Sequence, residues 1–130
     1  GNYIFGLENE TMESMQATLD LAVSLKCEWA NFYPCLAFPG SRLYSDALTG
    51  GKKPPDNWAA YAPLGYDCIP FAPEGLSPVD VLIFRDNAFL TYFNDLGYLT
   101  MVKQKFGENA VADILTMTEH GKPRRKILGQ

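Results

Sequence analysis

One histidine, three cysteines and no apolar run near the roughly 18 to 20 residues that cross a bilayer mark this chain first by what it lacks. Its start, Gly1-Asn2-Tyr3, has no charged region followed by an apolar one, so no signal peptide is read there. Both absences favour a soluble chain in the cytoplasm. Cys27, Cys35 and Cys68 are odd in number and far apart, which excludes a disulfide scaffold and fits a reducing compartment. They also lack the close CxxC or CxxxCxxC grouping with which one loop wraps a metal ion or an iron–sulfur cluster, and read as small buried apolar residues. His120 lies beside Gly121 near the tail and is read as neither general base nor ligand. No glycine-rich phosphate loop, no paired carboxylates at helical spacing and no Ser/His/Asp set can be assembled.

Positive charge is scarce as well. Eleven Lys and Arg against 15 Asp and Glu give a net charge of −4, which offers nucleic acid no electrostatic footing. The local exception is Lys122, Arg124, Arg125 and Lys126, read as a solvated basic tail over residues 121–130.

What is present is apolar content of 47% in 130 residues, enough for one modest core, whether of a single domain or of the tail of a larger one. Residues 2–7 form a short β-prone run that begins almost at the first residue, which reads as a cut start. A polar turn then leads into Met12, Met15, Leu19, Ala22 and Val23, whose spacing predicts an amphipathic helix capped by Thr11 or Asn9, with Glu10 and Glu13 at its positive end. Residues 28–36, with Trp29, Phe32 and Tyr33, read as a second strand. Strand, helix and strand make a βαβ unit, so the strands are expected to be parallel. Pro39-Gly40-Ser41 reads as a turn with an N-cap for Arg42-Leu43-Tyr44.

From residue 49 to 77 proline and glycine are too dense for long regular elements, yet Trp58, Tyr61, Tyr66 and Phe71 are too apolar for a disordered linker. This predicts an extended crossing segment packed over another part of the fold. Ser77-Pro78-Val79-Asp80 starts a helix running to about Phe93, with Val81, Phe84, Ala88 and Tyr92 on one face and Leu82, Phe89 and Phe93 widening it. Two further helices follow, over residues 97–106 and 109–119, parted by Gly107.

Two motifs then carry a resemblance. Gly6-Leu7-Glu8-Asn9-Glu10-Thr11 resembles the GLPGET turn that follows a late barrel strand in radical S-adenosylmethionine enzymes, with Glu8-Asn9 where that family has Pro-Gly. Pro39-Gly40-Ser41-Arg42-Leu43-Tyr44 resembles the PG(T/S)xLY that follows one helix and one strand later. Phe84-Arg85-Asp86, Tyr92-Phe93, Tyr98-Leu99 and Lys105-Phe106-Gly107 are similar to the helical tail of a subgroup that often carries an upstream cobalamin domain.

The resemblance implies an α/β fold: residues 1–48 as a late βαβα segment of a partial β/α barrel, the crossing segment over 49–77, helices over 78–120 and the tail. It implies a parent that holds a [4Fe–4S] cluster through a CxxxCxxC loop and cleaves S-adenosylmethionine for radical chemistry, with methyl transfer one outcome and cobalamin a further cofactor. That loop is not in these residues, so the chain is expected to be an inactive C-terminal part whose partner is the missing N-terminal half. The strand ends of such barrels approach the cofactor, which nominates Ile4, Gly6, Tyr33, Pro34 and Cys35 as cofactor-binding and nominates no catalytic or metal residue. An unknown small-molecule substrate and self-association through exposed strand edges are also expected. The rival readings are a non-catalytic protein-binding adaptor using the aromatic crossing segment and a structural subunit completing another chain's barrel.

Overall fold

A computed structural model describes residues 1–120 and 125–130. The expected βαβ unit is present: β1 (Asn2–Phe5), α1 (Met12–Leu25) and β2 (Asn31–Pro34), with the two strands parallel and Asn2 opposite Asn31, Ile4 opposite Tyr33 and Phe5 opposite Pro34. β2 is shorter than its β-prone sequence. The register leaves residues 28–30 with no strand beside them, and Trp29 packs instead on Phe93, with ring centroids 5.1 Å apart.

The remaining elements among the described residues are α2 (Arg42–Thr49), a 3₁₀ turn (Trp58–Tyr61), α3 (Pro78–Phe93), α4 (Leu96–Phe106), α5 (Glu108–Glu119) and a 3₁₀ turn (Lys126–Leu128). Together they make an α/β fold with a two-stranded parallel sheet and five helices. Two strands do not close a barrel.

Side-chain alternation decides how the sheet is used, because successive residues of a strand face opposite sides. Phe5 and Phe32 point to one side, where Met15, Leu19 and Ala22 of α1 meet Val81, Phe84, Ala88 and Tyr92 of α3 in a single core. Phe5 stacks on Phe32 and meets Phe84 edge-on, with centroids 6.0 and 4.9 Å apart. Both helices therefore cover the same face. The broad apolar face of α3 is buried as its sequence predicts, and α4 and α5 extend the core through Tyr98, Val102 and Ile114.

Caps agree with the sequence at the starts of α1, α2 and α3, whereas α4 is capped by Asp95 and α5 has no side-chain cap. Thr11 accepts from the Ser14 amide in a reciprocal capping box, Ser41 accepts from Tyr44, and Ser77 with Asp80 closes a second box ahead of α3.

The tail differs from expectation. Lys122 and Arg124 lie outside the described residues, but Arg125 is fully buried and Lys126 pairs with Asp67 at 3.1 Å. Arg125 enters the body because Asp86 on α3 offers it a carboxylate, at 3.0 and 3.3 Å, while the carbonyls of Pro63 and Gly65 accept its remaining hydrogens at 3.3 and 3.0 Å. A charge run alone does not reveal such a partner 39 residues away.

Candidate functional site

The sheet has one covered face and one open face. On the open side Ile4, 45% exposed, stands beside half-buried Tyr33, and Asn2 and Asn31 share a side-chain hydrogen bond of 3.0 Å at the strand starts. Both edges of the sheet lack a strand partner among the described residues. The outer edge of β2 is partly occupied, since Arg85 donates from Nε to the Phe32 carbonyl at 2.6 Å.

The five nominated residues are therefore sorted by the pleat. Ile4 and Tyr33 come together on the open face. Pro34 falls on the opposite side with Phe5 and is buried. Cys35 is buried just beyond β2, its amide donating to the Phe5 carbonyl at 2.7 Å and its carbonyl accepting from Phe71 at 2.9 Å. Through that second bond the crossing segment packs over the C-terminal ends of the strands.

Gly6 is at the centre of this junction. Its φ of +86° is one that glycine adopts freely, and a Cβ built there would lie 2.8 Å from Val81 and 3.2 Å from the Phe71 carbonyl. The chain's own atoms thus fill the space above Gly6. Glu10 holds the turn, accepting from the amides of both Gly6 and Leu7 at 2.7 Å. Asn9 takes φ of +66°, the left-handed conformation that asparagine tolerates better than most residues. The turn thus accommodates Glu8-Asn9 in place of Pro-Gly.

Electrostatics argue against thiolate chemistry here. Burial, with a smaller push from the Glu10 carboxylate, raises the Cys35 thiol to about 11. Burial also raises Cys68 to about 11, against opposing pulls from Arg125 and Arg85. No group of His, Cys, Asp or Glu suited to hold a metal ion occurs among the described residues. His120 is exposed, with Nδ1 3.0 Å from the Thr116 carbonyl. None of the described helices is long and apolar enough to cross a membrane.

Sequence reasoning missed the buried Arg85–Asp86–Arg125 cluster, although the adjacent Arg85 and Asp86 on an otherwise apolar helix face were its visible trace. Arg85 Nη1 lies 2.8 Å from Asp86, so one carboxylate serves two guanidiniums.

These features define a one-sided parallel βαβ unit with its strand ends roofed by an extended segment. No family model matches the chain. No solved structure matches it either. Among curated proteins it is 33% identical over 61 residues to an uncharacterized methyltransferase from Pyrococcus horikoshii, an alignment covering 47% of this chain and 13% of that protein. The chain thus shares a limited stretch with a much longer relative.

Proposed function

We propose that these residues are the late βαβα part and helical tail of an S-adenosylmethionine-using enzyme of the radical type, with methyl transfer as its reaction class. The observation that carries this reading is the sheet with helices on one face only, which leaves Ile4 and Tyr33 uncovered as inward-facing barrel residues would be. The likeness to a methyltransferase supports the choice of cofactor and reaction. In this reading Ile4 and Tyr33 give an apolar and aromatic surface for the adenosine part, with Gly6, Pro34 and Cys35 shaping the strand ends behind it.

The cysteines of this chain do not fit a [4Fe–4S] cluster: among the described residues no group of His, Cys, Asp or Glu comes together that could hold a metal, whereas a cluster needs grouped cysteines. The cluster is accordingly assigned to a CxxxCxxC loop elsewhere in the polypeptide, no residue here is assigned to cobalamin, and the 130 residues by themselves are inactive.

The test is S-adenosylmethionine binding by equilibrium dialysis in the natural polypeptide that carries these residues. Ile4→Ala and Tyr33→Ala each remove apolar contact and are expected to weaken binding by about 1 to 3 kcal/mol. Leu96→Ala, at an 80% exposed position opening α4, is expected to leave it unchanged. Undiminished binding in both sheet variants, with thermal midpoints matched to the parent, sinks the assignment. Gly6→Val is a poor probe because it strikes Val81 before any ligand.

A further inference from the structure

We infer that the cleft between α2 and the crossing segment is a binding site for a small apolar carboxylate, bound with its acid group on Lys52. The cleft encloses about 570 Å³, within the usual range for small-molecule sites, and its walls are largely apolar, with Tyr61, Ile69, Phe71 and Leu76 among them. It is built independently of the open sheet face, and the inference does not rest on the function proposed above.

Its walls are held from several directions. The Phe71 amide is fixed to the Cys35 carbonyl at 2.9 Å, the Ile69 amide to Ala60 at 3.0 Å, and the Lys52 amide to Ala47 at 2.9 Å. Pro54, Pro55, Pro70 and Pro73 restrict the backbone further. A cleft already shaped before binding loses less entropy when a ligand enters.

Lys52 supplies the polar anchor. Its ammonium lies 4.1 Å from the centre of the Phe71 ring and donates to the Ala72 carbonyl at 2.6 Å. An ammonium has three hydrogens, so donor capacity remains. No ion pair forms at Lys52 among the described residues, whereas Lys53 on the same wall is matched by Asp56 at 3.4 Å. Among the described residues Lys52 is thus an oriented cation with no ion-pair partner, beside a cavity of largely apolar surface.

Nearby acids limit the ligand's charge. Glu74 lines the cleft, and Glu8 and Asp46 line an adjoining hollow that also reaches Lys52; Asp46 is paired with Arg42 at 3.3 Å. Glu8 and Glu74 would repel a dianion such as a phosphate monoester more than a monoanion. A single carboxylate on an apolar ring body matches the charge, and a body of one or two fused rings fits inside the cleft with room to spare.

The experiment titrates the natural polypeptide that carries these residues with naphthoate, naphthalenemethanol and naphthalenemethylamine, following the backbone amide shifts of these residues by NMR. Naphthoate is expected to bind roughly three- to tenfold more tightly than the alcohol, as one partly exposed charge-assisted contact allows, and the amine more weakly than either. The shifts should centre on Ala37, Phe71 and Ala72. Lys52→Met should erase the preference for the acid, Lys52→Arg should keep it, and Lys53→Met should not alter it. Equal affinities for the three probes, a preference that survives Lys52→Met, shifts centred elsewhere, or no shift at millimolar naphthoate would each overturn the inference.

Discussion

At the scale of single residues the buried charges matter most. Arg85, Asp86 and Arg125 are each less than a tenth exposed, and among the described residues no fully buried side-chain polar atom lacks a partner. Breaking such a cluster costs more than making it contributes, because the remaining charge is left buried and unmatched. Asp86→Asn strands two guanidiniums and is expected to cost about 3 to 5 kcal/mol, whereas Arg125→Met leaves Asp86 with Arg85 and should cost less. Urea unfolding followed by tryptophan fluorescence checks the order, and equal stability of Asp86→Asn and wild type would refute the coupling.

The thiols make a second residue-scale prediction. With Cys35 and Cys68 raised to about 11, only about a thousandth of either is thiolate at pH 8, so in native protein Cys27, which is partly exposed, should be alkylated by iodoacetamide well before them. Mass spectrometry of the labelled peptides reads this out. The sign of the linkage follows. Each group binds its proton more tightly when folded, so its stabilising share is complete below the ordinary thiol value of 9 and is lost as pH rises towards 11. Cys35→Ala/Cys68→Ala should therefore lose stability less steeply over that interval.

At the scale of elements, the caps and the first turn carry the control. Thr11→Ala and Ser77→Ala each remove an N-cap acceptor, and each is expected to lower stability by about 0.5 to 2 kcal/mol in denaturant titrations. In the turn from β1 to α1, Asn9→Gly should be tolerated and Asn9→Val should not, because a β-branched residue at φ of +66° is strained. Thermal melts of the two variants decide between this account and one in which the Asn9 side chain is required. The second strand shows the limit of propensity: aromatic and β-prone residues extend over residues 28–36, but only Asn31–Pro34 has a neighbour to pair with.

At the scale of the whole molecule, the uncovered sheet face and the edge of β1 present exposed Ile4 and unpaired backbone groups, the ordinary route to edge-to-edge association. Arg85 partly blocks the outer edge of β2, so association is expected through β1. Light scattering across micromolar to millimolar concentration should show a rising mass for the isolated 130 residues, and Ile4→Lys should suppress it. A constant monomer mass would count against an exposed pairing edge.

By itself the sequence determined the helix starts, the parallel βαβ unit, the wide apolar face of α3 and the irregular course of residues 49–77, because caps, periodicity and proline act over a few neighbouring residues. Tertiary structure alone decided that α1 and α3 share one face of the sheet, that Pro34 turns away from Ile4 and Tyr33, that Phe71 closes over Gly6, and that Arg125 leaves an apparent surface tail for Asp86. Those outcomes depend on which distant groups meet. The bonds from Cys35 to Phe71 and from Asp86 to Arg125 join positions 36 and 39 residues apart, and no local pattern around any of the four records its partner.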